Sequence, residues 1–140
     1  MARQEDLEIA VKKSCARICK RVKKARERKK AKRYNVQDYP AVTVASAYVK
    51  SFEIVVGESK NPCWHKFNYI LYNKLLELGP IGAKVNGNIV GACAEPHAAD
   101  EVMKKHRACG ISDLQFSKAY RPRTCQHIKY CKNCKDTFGL

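Results

Sequence analysis

Apolar residues recur every three or four positions over the first quarter of the chain. Leu7, Val11, Cys15, Ile18, Val22 and Ala25 are spaced by four, four, three, four and three. That is one stripe on a 3.6-residue period and predicts a helix over residues 5 to 33. After Ala25 the stripe fades into RERKKAKR, and NVQDYP ends the helix. Pro40 cannot continue it and biases Tyr39 toward extended backbone.

The pattern then changes. AVTVASAYV and FEIVVGES are rich in β-branched and aromatic residues and are separated by Lys50 and Ser51, which predicts a hairpin with strands at 41–49 and 52–59. NPCWHKFNYILYNKLLELG reads as a second helix, with Pro62 in the first turn and Gly79 as the stop. Its buried side is expected to hold Phe67, Ile70, Leu71, Leu75, Leu78 and the stem of Lys74, with Trp64 packed and His65 at the surface. PIGAKVNGNIVGA is a connector punctuated by Gly and Asn. A third helix is expected from about 95 to 105, a third strand from about 112 to 120 ended by Pro122, and a last helix from near Cys131. Helix, hairpin, helix, helix, strand, helix is the order of an α/β sandwich, a small sheet with helices packed on it.

The chain has 140 residues, enough for one domain with its own core. No run of about 18 apolar residues offers a membrane span, and the N-terminus lacks the apolar block of a signal peptide. The expected protein is soluble, although the chain could be cut from a longer secreted one. Net charge is +15, and residues 1 to 33 hold 14 of the 28 Lys and Arg with 4 of the 13 Asp and Glu. The segment 1–35 therefore reads as a basic amphipathic helix ahead of a domain at 36–140. Such a balance favours polyanions, nucleic acid first among them.

Eight cysteines are present. Cys15 and Cys19 lie near the helical stripe and read as small core residues; Cys109 and Cys125 read as incidental. Cys131 and Cys134 form a C-x-x-C pair and Cys93 stands two residues before Glu95, which suits a metal in a reducing compartment. A thiol pair at a helix N-terminus can present both sulfurs to one ion, and the helix dipole favours the thiolate. Three protein ligands on zinc leave a fourth position for water, and Glu95 can handle that water's proton. The competing arrangement is a closed zinc knuckle of Cys125, His127, Cys131 and Cys134; the competing function is a zinc-stapled nucleic-acid-binding module without catalysis, with the basic helix as its main contact. The two arrangements differ on Cys93, whose loss removes the metal from the first and leaves it in the second. His97, four residues after Cys93, stays outside the ligand set, as a packed residue or one at a pocket edge. Arg121 and Arg123 can grip phosphates, and Tyr120 can stack on a base or pack on the sheet.

CAE at 93–95 followed by CKNC at 131–134 resembles the zinc deaminase signature, in which a His or Cys two residues before a Glu is followed by Pro-Cys-x-x-Cys. The order of elements is similar to the cytidine deaminase-like superfamily, most of all to the deaminase domains of bacterial polymorphic toxins, over about residues 40 to 140. Tyr130 stands where many members have proline, and the chain ends before the later strands of larger deaminases. The resemblance implies a three-layer fold with a small mixed sheet, helices on both faces and a zinc site at two helix N-termini. It implies Zn2+ on Cys93, Cys131 and Cys134, with Glu95 as the proton shuttle and Ala94 over the substrate base. It implies hydrolytic deamination of cytosine to uracil, in DNA before RNA, by a monomer. It also implies delivery into a target cell and an immunity protein as partner.

Overall fold

A computed structural model describes residues 1–32 and 39–140. At its centre lies β1 (Thr43–Tyr48), whose first five residues are buried. Successive side chains of a strand point to opposite faces. Val44 accordingly enters one apolar cluster, while Ala45 and Ala47 enter another. The expected hairpin is present: β2 (Ile54–Glu58) runs antiparallel to β1, from Thr43 opposite Glu58 to Ala47 opposite Ile54.

The third strand, expected to be continuous over 112–120, is broken. A single 3-10 turn at Ile111–Asp113 precedes two short pieces, labelled in chain order β5 (Leu114–Phe116) and β6 (Ala119–Arg121), both beside β1. Phe116 stands opposite Ser46 and Tyr120 opposite Thr43, so this side holds one residue more than β1 over the same length. That is a β-bulge. Ser117 fills it: its Oγ accepts from Ala45 N at 2.8 Å and donates to the Lys118 carbonyl at 2.8 Å, while its own N donates to Ala45 O. β7 (Gln126–Ile128) folds back on β6. The sheet is therefore antiparallel in each of its pairings, a correction to the expected mixed sheet. Each neighbour of β1 runs opposite to it; for β2 a short turn requires this, whereas β5 and β6 come back to β1 from far along the chain.

Helices cover both faces. α1 (Gln4–Lys32) buries Leu7, Val11, Cys15, Ile18 and Val22, the stripe read from the sequence, and with Ala45, Ala47 and Tyr120 Leu7, Val11 and Cys15 form one core. The basic N-terminal segment is thus one layer of the fold. The helix stop expected at 35–40 falls mostly on residues 33–38, outside the described residues. On the other face α2 (Tyr69–Leu76) and α3 (Ala94–Lys105) supply Leu71, Leu75, Ala98, Ala99, Val102 and Met103 to the larger core. α4 (Lys132–Phe138) joins them through Phe138, whose ring centroid lies 4.9 Å from that of Phe116. Among the described residues the result is an α/β fold of four helices and a small sheet. No helix among the described residues is long and apolar enough to cross a membrane.

The second helix is shorter than expected. It begins at Tyr69, where Asn68 Oδ1 accepts from Ile70 N and Leu71 N, an N-cap that the sequence reading passed over in favour of Pro62. Residues 61–67 form a loop, opened by Asn61 Oδ1 accepting from Cys63 N. Trp64 is 97% exposed, not packed, and Ile70 is exposed as well, since the later start turns it outward. The connector after α2 holds a small hairpin, β3 (Lys84–Val85) and β4 (Asn88–Ile89). Asn86 and Gly87, at φ 51° and 80°, make the two-residue turn that requires left-handed backbone at both positions. Two-residue strands are too short to show an alternating pattern.

Candidate metal centre

The thiols of Cys93, Cys131 and Cys134 all lie within 4.8 Å of one another. Cys93 is the N-cap of α3 and Cys131 the N-cap of α4, and their Sγ atoms are 3.4 Å apart. Cys134 sits one turn into α4, buried. Both helices therefore aim their N-termini at one point, where the dipoles favour negative charge. Among the described residues this is the only group of three or more Cys, His, Asp or Glu arranged to hold a metal ion. Cys125 and His127 do not join it. Cys125 lies instead at the tip of the β6–β7 turn with φ 54°, where its thiol meets Cys15. The closed knuckle is thus not assembled.

Glu95 is in the first turn of α3 and 3% exposed. Its Oε2 accepts from the Cys134 thiol at 3.1 Å. Burial pushes its carboxyl above the usual carboxylate range, partly opposed by that hydrogen bond. Cys131 is held well below the ordinary thiol value by hydrogen bonds from Cys134 and Cys93. Its contact pushes Cys93 up to about 12 and Cys134 further still. Glu95 touches one sulfur but lies outside the mutually close set, so the site is three thiols with a protonatable carboxyl beside them.

What holds the trio together was only partly visible in the sequence. Gly57 of β2 lets α3 press onto the sheet: a Cβ there would stand 2.6 Å from Ala98 N and 2.8 Å from Ala94 O. Asn133, between the two cysteines of α4, is buried. It donates to Val85 O and accepts from Asn86 Nδ2, each at 2.9 Å, so the Asn-Gly hairpin clamps α4. Asp100, also buried, accepts from Asn68 N at 2.6 Å, pairs with His65 Nε2 at 2.7 Å and with Lys104 Nζ at 2.8 Å. It pins the 61–68 loop along α3. An Asn inside C-x-x-C and an Asn-Gly pair were the available signals; nothing marked Asp100 or Gly57.

The other expected site residues divide. Ala94 is fully buried, with its carbonyl facing Gly57. His97 is packed, 5% exposed, against His65 and Phe67 at ring-centroid distances of 4.8 and 5.4 Å. Neither of its ring nitrogens has a hydrogen-bond partner among the described residues, and burial, helped by the charges of Lys60 and His65, lowers its pKa to about 4. Tyr120 packs against α1 and donates to Glu8 Oε2 at 2.7 Å, so it is not a stacking platform. Arg121 and Arg123 do not reach the thiols; they line a cavity of about 390 Å³ with Tyr39 and Pro122. Comparison with the models of known protein families, with curated proteins and with solved structures finds no match to this chain.

Proposed function

We propose that this chain is a zinc-dependent deaminase of the cytidine deaminase-like type, converting cytosine to uracil within nucleic acid, DNA first. The observation that carries the reading is the convergence of Cys93, Cys131 and Cys134 at two helix N-caps with buried Glu95 against Cys134. The donor set fits zinc: thiolates are soft ligands, and tetrahedral Zn–S bonds of about 2.3 Å put sulfurs about 3.8 Å apart, within the 4.8 Å of this trio. Zinc, when bound, supplies Lewis acidity for the activation of water.

The rest falls to the chain itself. Cys93, Cys131 and Cys134 hold the ion and leave no fourth protein ligand in the set. The Glu95 carboxyl, raised by burial, is suited to take a proton from the attacking water, give it to the ring nitrogen and protonate the departing amine. One water is consumed and ammonia leaves as C4–N gives way to C4=O. The excess of cations suits a polymeric substrate over a free nucleoside. Delivery as a toxin domain, with an immunity protein covering the site, belongs to the same proposal.

The test is incubation of zinc-loaded protein with single- and double-stranded DNA and RNA, followed by sequencing for C-to-T changes. The expected outcome is conversion by the parent and a loss of about 10²–10⁴-fold in Glu95→Gln, the usual range for a general acid–base group, with zinc content and binding retained. Cytosine left intact by the loaded parent, with binding present, would leave the non-catalytic module as the better reading.

A further inference from the structure

Two cavities meet at Tyr39. One, of about 560 Å³, is lined by Cys19, Lys20, Lys23, Arg26 and Glu27 of the second half of α1 and by Tyr39. The other, of about 390 Å³, carries Arg121 at the end of β6 and Arg123 on the turn that follows. The walls are joined where the Cys19 thiol donates to Pro122 O at 3.1 Å, and the Arg26 guanidinium lies 5.3 Å from the centre of the Tyr39 ring. Among the described lining residues the two cavities carry five cations and one carboxylate, and together they form a groove with Tyr39, common to both, at its middle. Among the described residues no carboxylate lies within ion-pair distance of Lys20, Lys23, Arg121 or Arg123. Neighbouring Arg21 differs, since it is engaged by Glu58 at 2.6 Å.

The position of the groove matters as much as its charge. α1 runs along the sheet past Thr43, bonded to Ser14, and Glu58, bonded to Arg21, and its basic half lies beyond them. Arg121, one residue past the Thr43–Tyr120 pair, ends β6 at that same edge. α3 begins there too, on the opposite face, with Gly57 against Ala94 and Lys60 N donating to Ala92 O beside Cys93. Groove and thiols therefore occupy one end of the sheet on opposite faces, so a strand that rounds that end passes both.

We propose that this groove is a second nucleic-acid site, which grips the backbone of a single strand without regard to sequence while the reacting base is held elsewhere. Lys and Arg with an aromatic platform suit a single strand, and phosphate contacts position a substrate without reading it. The inference rests on the reading of the substrate as nucleic acid.

The experiment uses the full zinc-loaded chain and the triple variant Lys23→Glu, Arg121→Glu, Arg123→Glu, all exposed positions. A control, Lys50→Glu, Lys66→Glu, Arg107→Glu, makes the same change of net charge away from the groove, also at exposed positions. Thermal melting confirms that each is folded. Fluorescence anisotropy with a labelled single strand of about 30 nucleotides, at about 0.1 and 0.2 M salt, reads Kd and its salt slope. The groove variant is expected to bind at least about tenfold more weakly with a slope shallower by about 2, from about 0.7 per lost phosphate contact. The control should bind nearly as the parent does. Deamination of the long strand should fall in the groove variant and stay near the parent's in the control. Parent-like binding by the groove variant, or equal losses in both triple variants, would overturn the groove. A loss confined to vesicles containing phosphatidylserine would overturn it in favour of a membrane surface. The selective binding loss in a chain that deaminates nothing would retain the groove and sink the enzymatic reading alone.

Discussion

Glu95 and His97 stand two residues apart in the same helical turn, both almost out of reach of water, and burial acts on them in opposite directions. It favours the neutral form of each, raising the pKa of the acid and lowering that of the base. For Glu95 this raises the proton affinity of the carboxyl beside Cys134. For His97 it makes a pH liability. An unfolded histidine titrates near about 6.5, whereas His97 in the fold does so at about 4. Between these values the unfolded chain binds more protons, so the stability His97 contributes is complete above about 6.5 and is lost as pH falls toward 4. His97→Phe, which keeps a ring between His65 and Phe67, is expected to flatten the fall in Tm between pH 7 and 4.5. Melting curves of variant and parent with the same slope against pH would assign the acid sensitivity elsewhere. The motif showed Glu95 because its spacing from Cys93 is a chemical pattern. Asp100 gave no such sign, because its role lies in partners at positions 65 and 68 that the fold brings to it.

At the level of elements, the layers depend on how closely α3 approaches β2. Gly57 makes that approach possible, and a side chain there meets backbone atoms of α3 that cannot swing away. Gly57→Val is expected to destabilise the protein by about 1–3 kcal/mol, the range for overpacking, and to lower bound zinc below one per chain, since Cys93 and Glu95 move with the helix. Chemical denaturation and metal analysis of the purified variant check both; a parent-like metal content would show that α3 tolerates the shift. Helix α1 was legible because its 3.6-residue stripe runs through five buried positions. The β1–β2 hairpin was legible from residue type. The bulge at Ser117 was not, because an extra residue shows only against its partner strand, and α2 was overextended because Pro62 resembled a first-turn proline while Asn68 was the true cap.

Across the whole molecule, the three thiols are drawn from elements 38 residues apart in sequence, so a bound ion cross-links α3 to a short terminal helix. α4 has only seven residues and is otherwise held by Asn133 and the Phe138–Phe116 contact. Binding to the folded state alone adds stability. Chelation is therefore expected to lower Tm and to speed amide hydrogen exchange in residues 132–138 ahead of the β1–β2 pair. Uniform exchange on metal removal would mean that the ion does not staple α4. Cys93→Ser should remove the ion as completely as Cys134→Ser, which a knuckle built on Cys125 and His127 would not do. The sequence by itself determined what rests on local periodicity and spacing: the amphipathic first helix, the hairpin, the charge gradient, and the ligand chemistry of C-A-E and C-x-x-C. Tertiary structure alone decided which cysteines meet, the strand directions and the bulge. It alone placed Arg121 and Arg123 across a groove from α1, away from the thiols. Those outcomes depend on contacts between residues far apart in the chain, and no local pattern records such contacts.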